Sequence, residues 1–225
     1  MPILENIQIK IDFEAVRRRL RLKQDSELKA VRNLVDSAQP LIEPKVLYQV
    51  CYIDDKLEDG VKVGGLVLRS EVLRKNLENT ERLFPFVVTI GDKFGQRMDK
   101  SADLLEKFYL DTIGNVALNQ IRMELNNHLK STYAIEKTAF MAPGSLPNWP
   151  IEQQKPLFEL LGDVRASIGV ELSESLLMLP AKSVSGIYFP TETSFFSCQL
   201  CPRERCDSRK AKYDEKKALE FGIKT

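Results

Sequence analysis

Three of the four cysteines, Cys198, Cys201 and Cys206, fall within nine residues as C-x2-C-x4-C, in the context Cys-Gln-Leu-Cys-Pro-Arg-Glu-Arg-Cys. Thiolates so spaced are suited to wrapping one metal centre, and Arg203, Arg205 and Arg209 would favour the thiolate form and offset an anionic cluster. An iron–sulfur cluster is the first expectation and structural zinc the second, with Cys51 the available fourth thiol. The lone histidine, His128, lies far off in sequence inside a long helical pattern. Most general-base schemes would therefore rest on carboxylates or lysines. No Ser/His/Asp set, phosphate loop or zinc-hydrolase motif accompanies it. Four cysteines in 225 residues are too few for a disulfide scaffold. Lysine and arginine number 33 against 32 acids, so no global field draws the chain to nucleic acid or an anionic membrane. Met1–Lys10 lacks the apolar run of a leader, and no stretch of 18 apolar residues occurs, which points to a cytoplasmic protein without a membrane span.

The elements that must position these residues read as α+β. Phe13, Val16 and Leu20 share one face, as do Leu28, Val31 and Val35, giving N-terminal helices that stop at Pro40 and Pro44. Lys45–Ile53 and a run ending at Val67 read as a hairpin, Glu71–Leu77 as a short helix, and Leu83–Ile90 as an inner strand that turns at Gly91. From Ala102 to Leu129 apolar residues recur every fourth position through Leu105, Tyr109, Ile113, Ala117, Ile121, Leu125 and Leu129, with Phe108 and Val116 widening the stripe, which predicts a long central helix. Gly114 interrupts it at about 1 kcal/mol relative to alanine, so another backbone, of a closely packed helix, or a ligand is expected to approach there. Tyr133–Phe140 reads as a strand and Ile151–Leu161 as a helix opened by Pro150, followed by short strands. The whole predicts one domain: a twisted, mainly antiparallel sheet, a long central helix and N-terminal helices.

Between Ala139 and Phe196 a more specific order appears. Ala-Phe-Met-Ala-Pro-Gly-Ser is followed by a Gln-Lys-Pro-Leu-Phe-Glu-Leu-Leu helix and by Glu171-Leu172-Ser173-Glu174-Ser175. Met178-Leu179-Pro180, Ser183-Val184-Ser185-Gly186-Ile187-Tyr188-Phe189 and Phe195-Phe196 complete the series. This order resembles the activation domain of cobalamin-dependent methionine synthase, with looser agreement back to Phe13, including Thr89-Ile90-Gly91 and Asp111-Thr112-Ile113-Gly114. The resemblance implies residues 1–197 as an activation-like domain and 198–225 as a cysteine-cluster tail. It implies an accessory protein for methionine biosynthesis, associated with methyltransferase chemistry, that reductively remethylates a corrinoid on a partner methyltransferase. S-adenosylmethionine would be the methyl donor, and an electron donor would be a further partner. Cobalamin belongs to that partner, because the chain lacks the Asp-x-His-x-x-Gly signature that ligates cobalt. The loop Ala142, Pro143, Gly144 and Ser145, with Phe195 and Phe196, is the implied cofactor-binding set. Where the family loop reads Arg-x-x-x-Gly-Tyr, this chain has Phe140 and Ser145, and an acid of the family's long helix is matched by Asn115 or Asn119. The alternative is an iron–sulfur or other metal-binding redox or regulatory module on the same fold, without methyl transfer.

Overall fold

The computed structural model describes residues 3–4, 7–192, 195–206 and 209–223. Met1, Pro2, Glu5, Asn6, Thr193, Ser194, Asp207, Ser208, Lys224 and Thr225 lie outside them. In chain order the elements are β1 (Ile3–Leu4), α1 (Phe13–Leu20), α2 (Asp25–Ala38), β2 (Lys45–Tyr48), β3 (Cys51–Lys56), β4 (Gly60–Val63), β5 (Leu66–Arg69) and α3 (Glu71–Asn76). There follow β6 (Arg82–Thr89), α4 (Asp92–Lys100), α5 (Leu104–Thr132), β7 (Thr138–Met141), α6 (Gln154–Leu160), α7 (Val164–Ile168), β8 (Glu171–Leu172), β9 (Met178–Leu179), β10 (Ser183–Pro190) and α8 (Glu215–Glu220).

The inner strand expected at Leu83–Ile90 is β6, the axis of the sheet. It pairs antiparallel with β2 and β3 on one side and with β10 on the other, and β10 in turn carries β7 as the edge. Its unbroken apolar run follows from burial on both faces. Leu83 and Val87 point into one apolar layer, and Phe84, Phe86 and Val88 into a second. The first layer is closed by α3, α6, α7 and the C-terminal segment, the second by α1, α2 and α5. Pro85 explains why the run predicted as one strand from Lys45 is two. Gln49 N–H donates to the Pro85 carbonyl at 3.1 Å, but proline has no N–H to return, so the ladder lapses between β2 and β3. The stretch ending near Val67 also resolves into two strands, β4 and β5, reversing at Gly64 and Gly65, both at positive φ as a tight hairpin requires.

The predicted long helix is α5, 29 residues, about 43 Å at 1.5 Å per residue. Asp103 starts it, its carboxylate accepting from Leu105 N–H at 2.8 Å. Ile113, Ala117, Ile121, Leu125 and Leu129 of the stripe are buried, but Leu105 and Phe108 are more than half exposed (55% and 58%), because the first turns run beyond the second apolar layer. The pattern did not reveal α4, a short helix with one buried side chain, Phe94. The strand expected from Tyr133 begins only at Thr138, since α5 continues to Thr132. No helix among the described residues is long and apolar enough to cross a membrane.

Candidate functional site

The loop after β7 is closed on itself. Gly144 takes φ +77°, which disfavours any side chain, and its N–H donates to the Trp149 carbonyl at 2.7 Å. The Ser145 hydroxyl donates to the Ala142 carbonyl at 2.5 Å, while Ile151 sits where a Cβ on Gly144 would lie, 2.8 Å away. Pro143, Leu146 and Trp149 are buried beneath, leaving Gly144 and Ser145 as the exposed rim. The paired aromatics divide. Phe195 is buried in the same apolar layer as Leu146 and Trp149, its ring 5.8 Å from that of Phe221 and the Lys217 ammonium 5.4 Å from its centroid. Phe196 is 43% exposed. Phe195 also lines a cleft of about 740 Å³ between the ends of α3 and α5 and the C-terminal helix, together with Arg82, Lys137 and Lys217.

Strand alternation turns Phe140 to the opposite face from Ala139 and Met141. Its ring packs on Phe86 and Tyr188, and the Arg122 guanidinium lies 4.7 Å from its centroid. Arg122 donates to the Tyr188 hydroxyl at 2.8 Å and to Asn119 Oδ1 at 2.9 Å. Burial holds the Tyr188 phenol above its ordinary pKa, against the opposing pull of Arg122. Gly186 of the Ser183–Gly186 run makes this packing possible. A Cβ there would stand 2.5 Å from the Phe140 ring and 2.6 Å from the Met141 carbonyl oxygen.

The close approach expected at Gly114 is made by side chains. A Cβ would meet Phe94 at 2.8 Å and the Lys182 stem at 3.2 Å. Lys182 is nearly buried, and its ammonium donates to Asp111 Oδ1 at 2.6 Å and Asn115 Oδ1 at 2.8 Å, while Asn115 Nδ2 donates to Asp111 Oδ2 at 2.9 Å. Asp111 and Asn115 of this triangle line a cleft of about 360 Å³ together with Arg19, Phe108, Thr112, Arg203, Arg205 and Cys206. The i, i+4 spacing of Asp111 and Asn115 around a glycine was the available sequence signal. Nothing in the sequence placed Lys182 or Arg19 beside them.

The three clustered cysteines have different surroundings. Cys198 Sγ accepts the Lys210 N–H at 3.4 Å, Cys201 packs against the first apolar layer, and Cys206 is exposed at the α5 cleft. Among the described residues no three His, Cys, Asp or Glu side chains are grouped so as to hold a metal. The segment is instead organised around a cation of its own. The Arg209 guanidinium donates to the carbonyls of Cys198 (3.2 Å), Cys201 (3.3 Å), Ala211 (3.3 Å) and Arg203. Among the described residues nothing supports an iron–sulfur cluster or zinc on these thiols. Cys51, the candidate fourth ligand, is buried in the first apolar layer, where desolvation and the neighbouring Asp54 charge push its thiol up to about 11. From the C-terminal segment, Leu200, Ala218 and Ile223 belong to the same apolar layer as Trp149.

Residues 122–215 match the family described as vitamin B12 dependent methionine synthase, activation domain. A solved structure titled "Crystal Structure of the MetH Reactivation Domain bound to AdoHcy" shares the fold, with a TM-score of 0.63 at 15% identity, over 87% of this chain and 81% of that chain. No curated protein matches the chain in sequence. The resemblance read from the Ala139–Phe196 order is borne out, as is the α+β architecture.

Proposed function

We propose, for a chain that matches the methionine synthase activation domain over residues 122–215, that it is an accessory protein for reductive reactivation of a corrinoid held by a cobalamin-dependent methyltransferase, with S-adenosylmethionine as methyl donor. That match is the observation that carries the reading, supported by a fold neighbour whose title names bound AdoHcy. The protein would act in the cytoplasm. Cobalamin would come with the partner, since the one histidine, His128, stands in no Asp-x-His-x-x-Gly. In the reaction one electron from a separate donor reduces cob(II)alamin, the reduced cobalt takes the methyl carbon of the sulfonium, and the S–CH3 bonding pair stays on sulfur, leaving S-adenosylhomocysteine.

The residues present suit the donor's recognition. Gly144 and Ser145 offer an exposed backbone rim without bulk, and Phe196 offers a half-exposed ring. Phe140 cannot grip a carboxylate, but Arg122 sets a guanidinium over it with donors beyond those used on Tyr188 and Asn119. We assign to Arg122, which lies over Phe140 on the α5 side, the carboxylate contact that Phe140 cannot make. The chain's task is orientation: holding the sulfonium so that methyl and cobalt meet in line when the partner docks.

Calorimetric titration with S-adenosylhomocysteine tests the binding half. Micromolar binding is expected, weakened about tenfold by Arg122→Met through loss of a charge-assisted contact. No heat at high micromolar concentration would overturn the donor assignment, and an unchanged Arg122→Met would overturn the role of that residue. Mixing the chain with a cob(II)alamin-loaded partner, reductant and S-adenosylmethionine should yield the methylcobalamin spectrum. The metal-centred alternative has no assembled ligand set among the described residues and is not advanced.

A further inference from the structure

Once a metal site is set aside, the C-x-x-C within the cysteine segment still calls for an account. Ser197–Leu200 form a 3-10 turn, and the Cys201 N–H reaches the Cys198 carbonyl at 3.4 Å. An i to i+3 turn brings its end Cα atoms within about 7 Å, and a disulfide spans about 4.4–6.8 Å between Cα atoms. Arg209 fixes that separation further, because one planar guanidinium binds the carbonyls of both cysteines, at 3.2 and 3.3 Å. Both thiols are partly exposed, unlike the buried Cys51. Cys198 is the better placed of the two to attack, since its partly exposed sulfur accepts the Lys210 N–H at 3.4 Å and is not packed against the apolar layer. Cys201 lies against the apolar layer. Cys206 is held apart, on the α5 cleft with Arg203 and Arg205.

We infer that Cys198 and Cys201 form a redox-active dithiol that exchanges with small-molecule disulfides of the glutathione disulfide class. The Cys198 thiolate attacks one sulfur of the disulfide, a mixed disulfide forms, and the first thiol leaves as thiolate. The Cys201 thiolate then attacks Cys198 Sγ, forms the Cys198–Cys201 bond and expels the second thiol. The chain loses two electrons and two protons, and the small disulfide gains them as two thiols. Closure would lock the turn preceding Arg203 and Arg205, so that the oxidation state sets how that segment presents its cations at the α5 cleft. The inference stands apart from the methyl-transfer reading, because it needs neither S-adenosylmethionine nor a corrinoid.

The test uses the reduced full chain, glutathione disulfide and intact-mass spectrometry with peptide mapping. The expected product has lost two hydrogen atoms, maps to a Cys198–Cys201 link and reverts with dithiothreitol. Cys201→Ser should stop at a stable glutathione adduct on Cys198, Cys198→Ser should abolish the link, and Cys206→Ser should leave it unchanged. A glutathione adduct confined to Cys206, or a disulfide that includes Cys206, would overturn the inference. So would a reduced chain that carries one equivalent of zinc or an iron–sulfur cluster on these thiols and resists exchange.

Discussion

Substitution of Gly186 by alanine isolates the contact on which the Phe140 face depends. The added Cβ would stand 2.6 Å from the Met141 carbonyl oxygen and 2.5 Å from the Phe140 ring, whereas ordinary contact begins near 3.4 Å. The ring has little room to swing, being packed on Phe86 and Tyr188 and covered by Arg122. The carbonyl belongs to β7, whose register with β10 pairs Met141 with Ile187, so moving it strains the ladder at the sheet edge. Overpacking costs about 1–3 kcal/mol, and a weakened ladder hydrogen bond about 1 kcal/mol. Against these, alanine gains about 0.5–1 kcal/mol over glycine through the unfolded chain. The net is a destabilisation of about 2 kcal/mol, which in a domain of this size lowers the melting temperature by roughly 4–8 °C. Thermal and urea unfolding of Gly186→Ala measure it directly. Adding Phe140→Leu should recover only part of the loss, because the backbone oxygen remains in the way. A Gly186→Ala variant as stable as the parent would show that β7 and β10 are not locked as described, and the role given to Gly186 would fall.

Two further outcomes follow from the α5 face. Asp111→Ala leaves the nearly buried Lys182 ammonium with Asn115 alone and should cost about 1.5 kcal/mol in urea unfolding, as for a lost charge-assisted hydrogen bond. Lys182→Met leaves a half-exposed carboxylate that keeps its Asn115 donor and should cost less, and the double variant should fall short of the sum; strict additivity would refute the coupling. Burial holds the His128 pKa below its ordinary value, so below about pH 6.5 the unfolded chain binds more protons and stability falls as the pH drops. The effect vanishes above that pH, where the ring is neutral in both states. His128→Gln, still able to bond the Tyr48 hydroxyl now 2.8 Å from His128 Nε2, should flatten the change in urea midpoint between about pH 5 and 6.5, and an unaltered slope would assign the acid sensitivity elsewhere.

The sequence by itself determined what depends on local periodicity and order. The four-residue apolar recurrence from Ile113 to Leu129 required a long helix, because such spacing puts one stripe on one face. The apolar run at Leu83–Val88 required a strand buried on both sides, and the ordered series from Ala139 to Phe196 carried the family resemblance. Local pattern also marked Gly114, and the resemblance marked Gly144, without showing what stood against them. Only the tertiary structure decided those neighbours, since Phe94 and Lys182 at Gly114, Phe140 at Gly186 and Arg122 over Phe140 come from segments far apart in the chain. The surroundings of the cysteines were likewise decided by the tertiary structure. Thiolate spacing permits a metal site, but whether three sulfurs converge depends on what fills the loop, and here the Arg209 guanidinium takes its carbonyls and leaves Cys198, Cys201 and Cys206 in different surroundings.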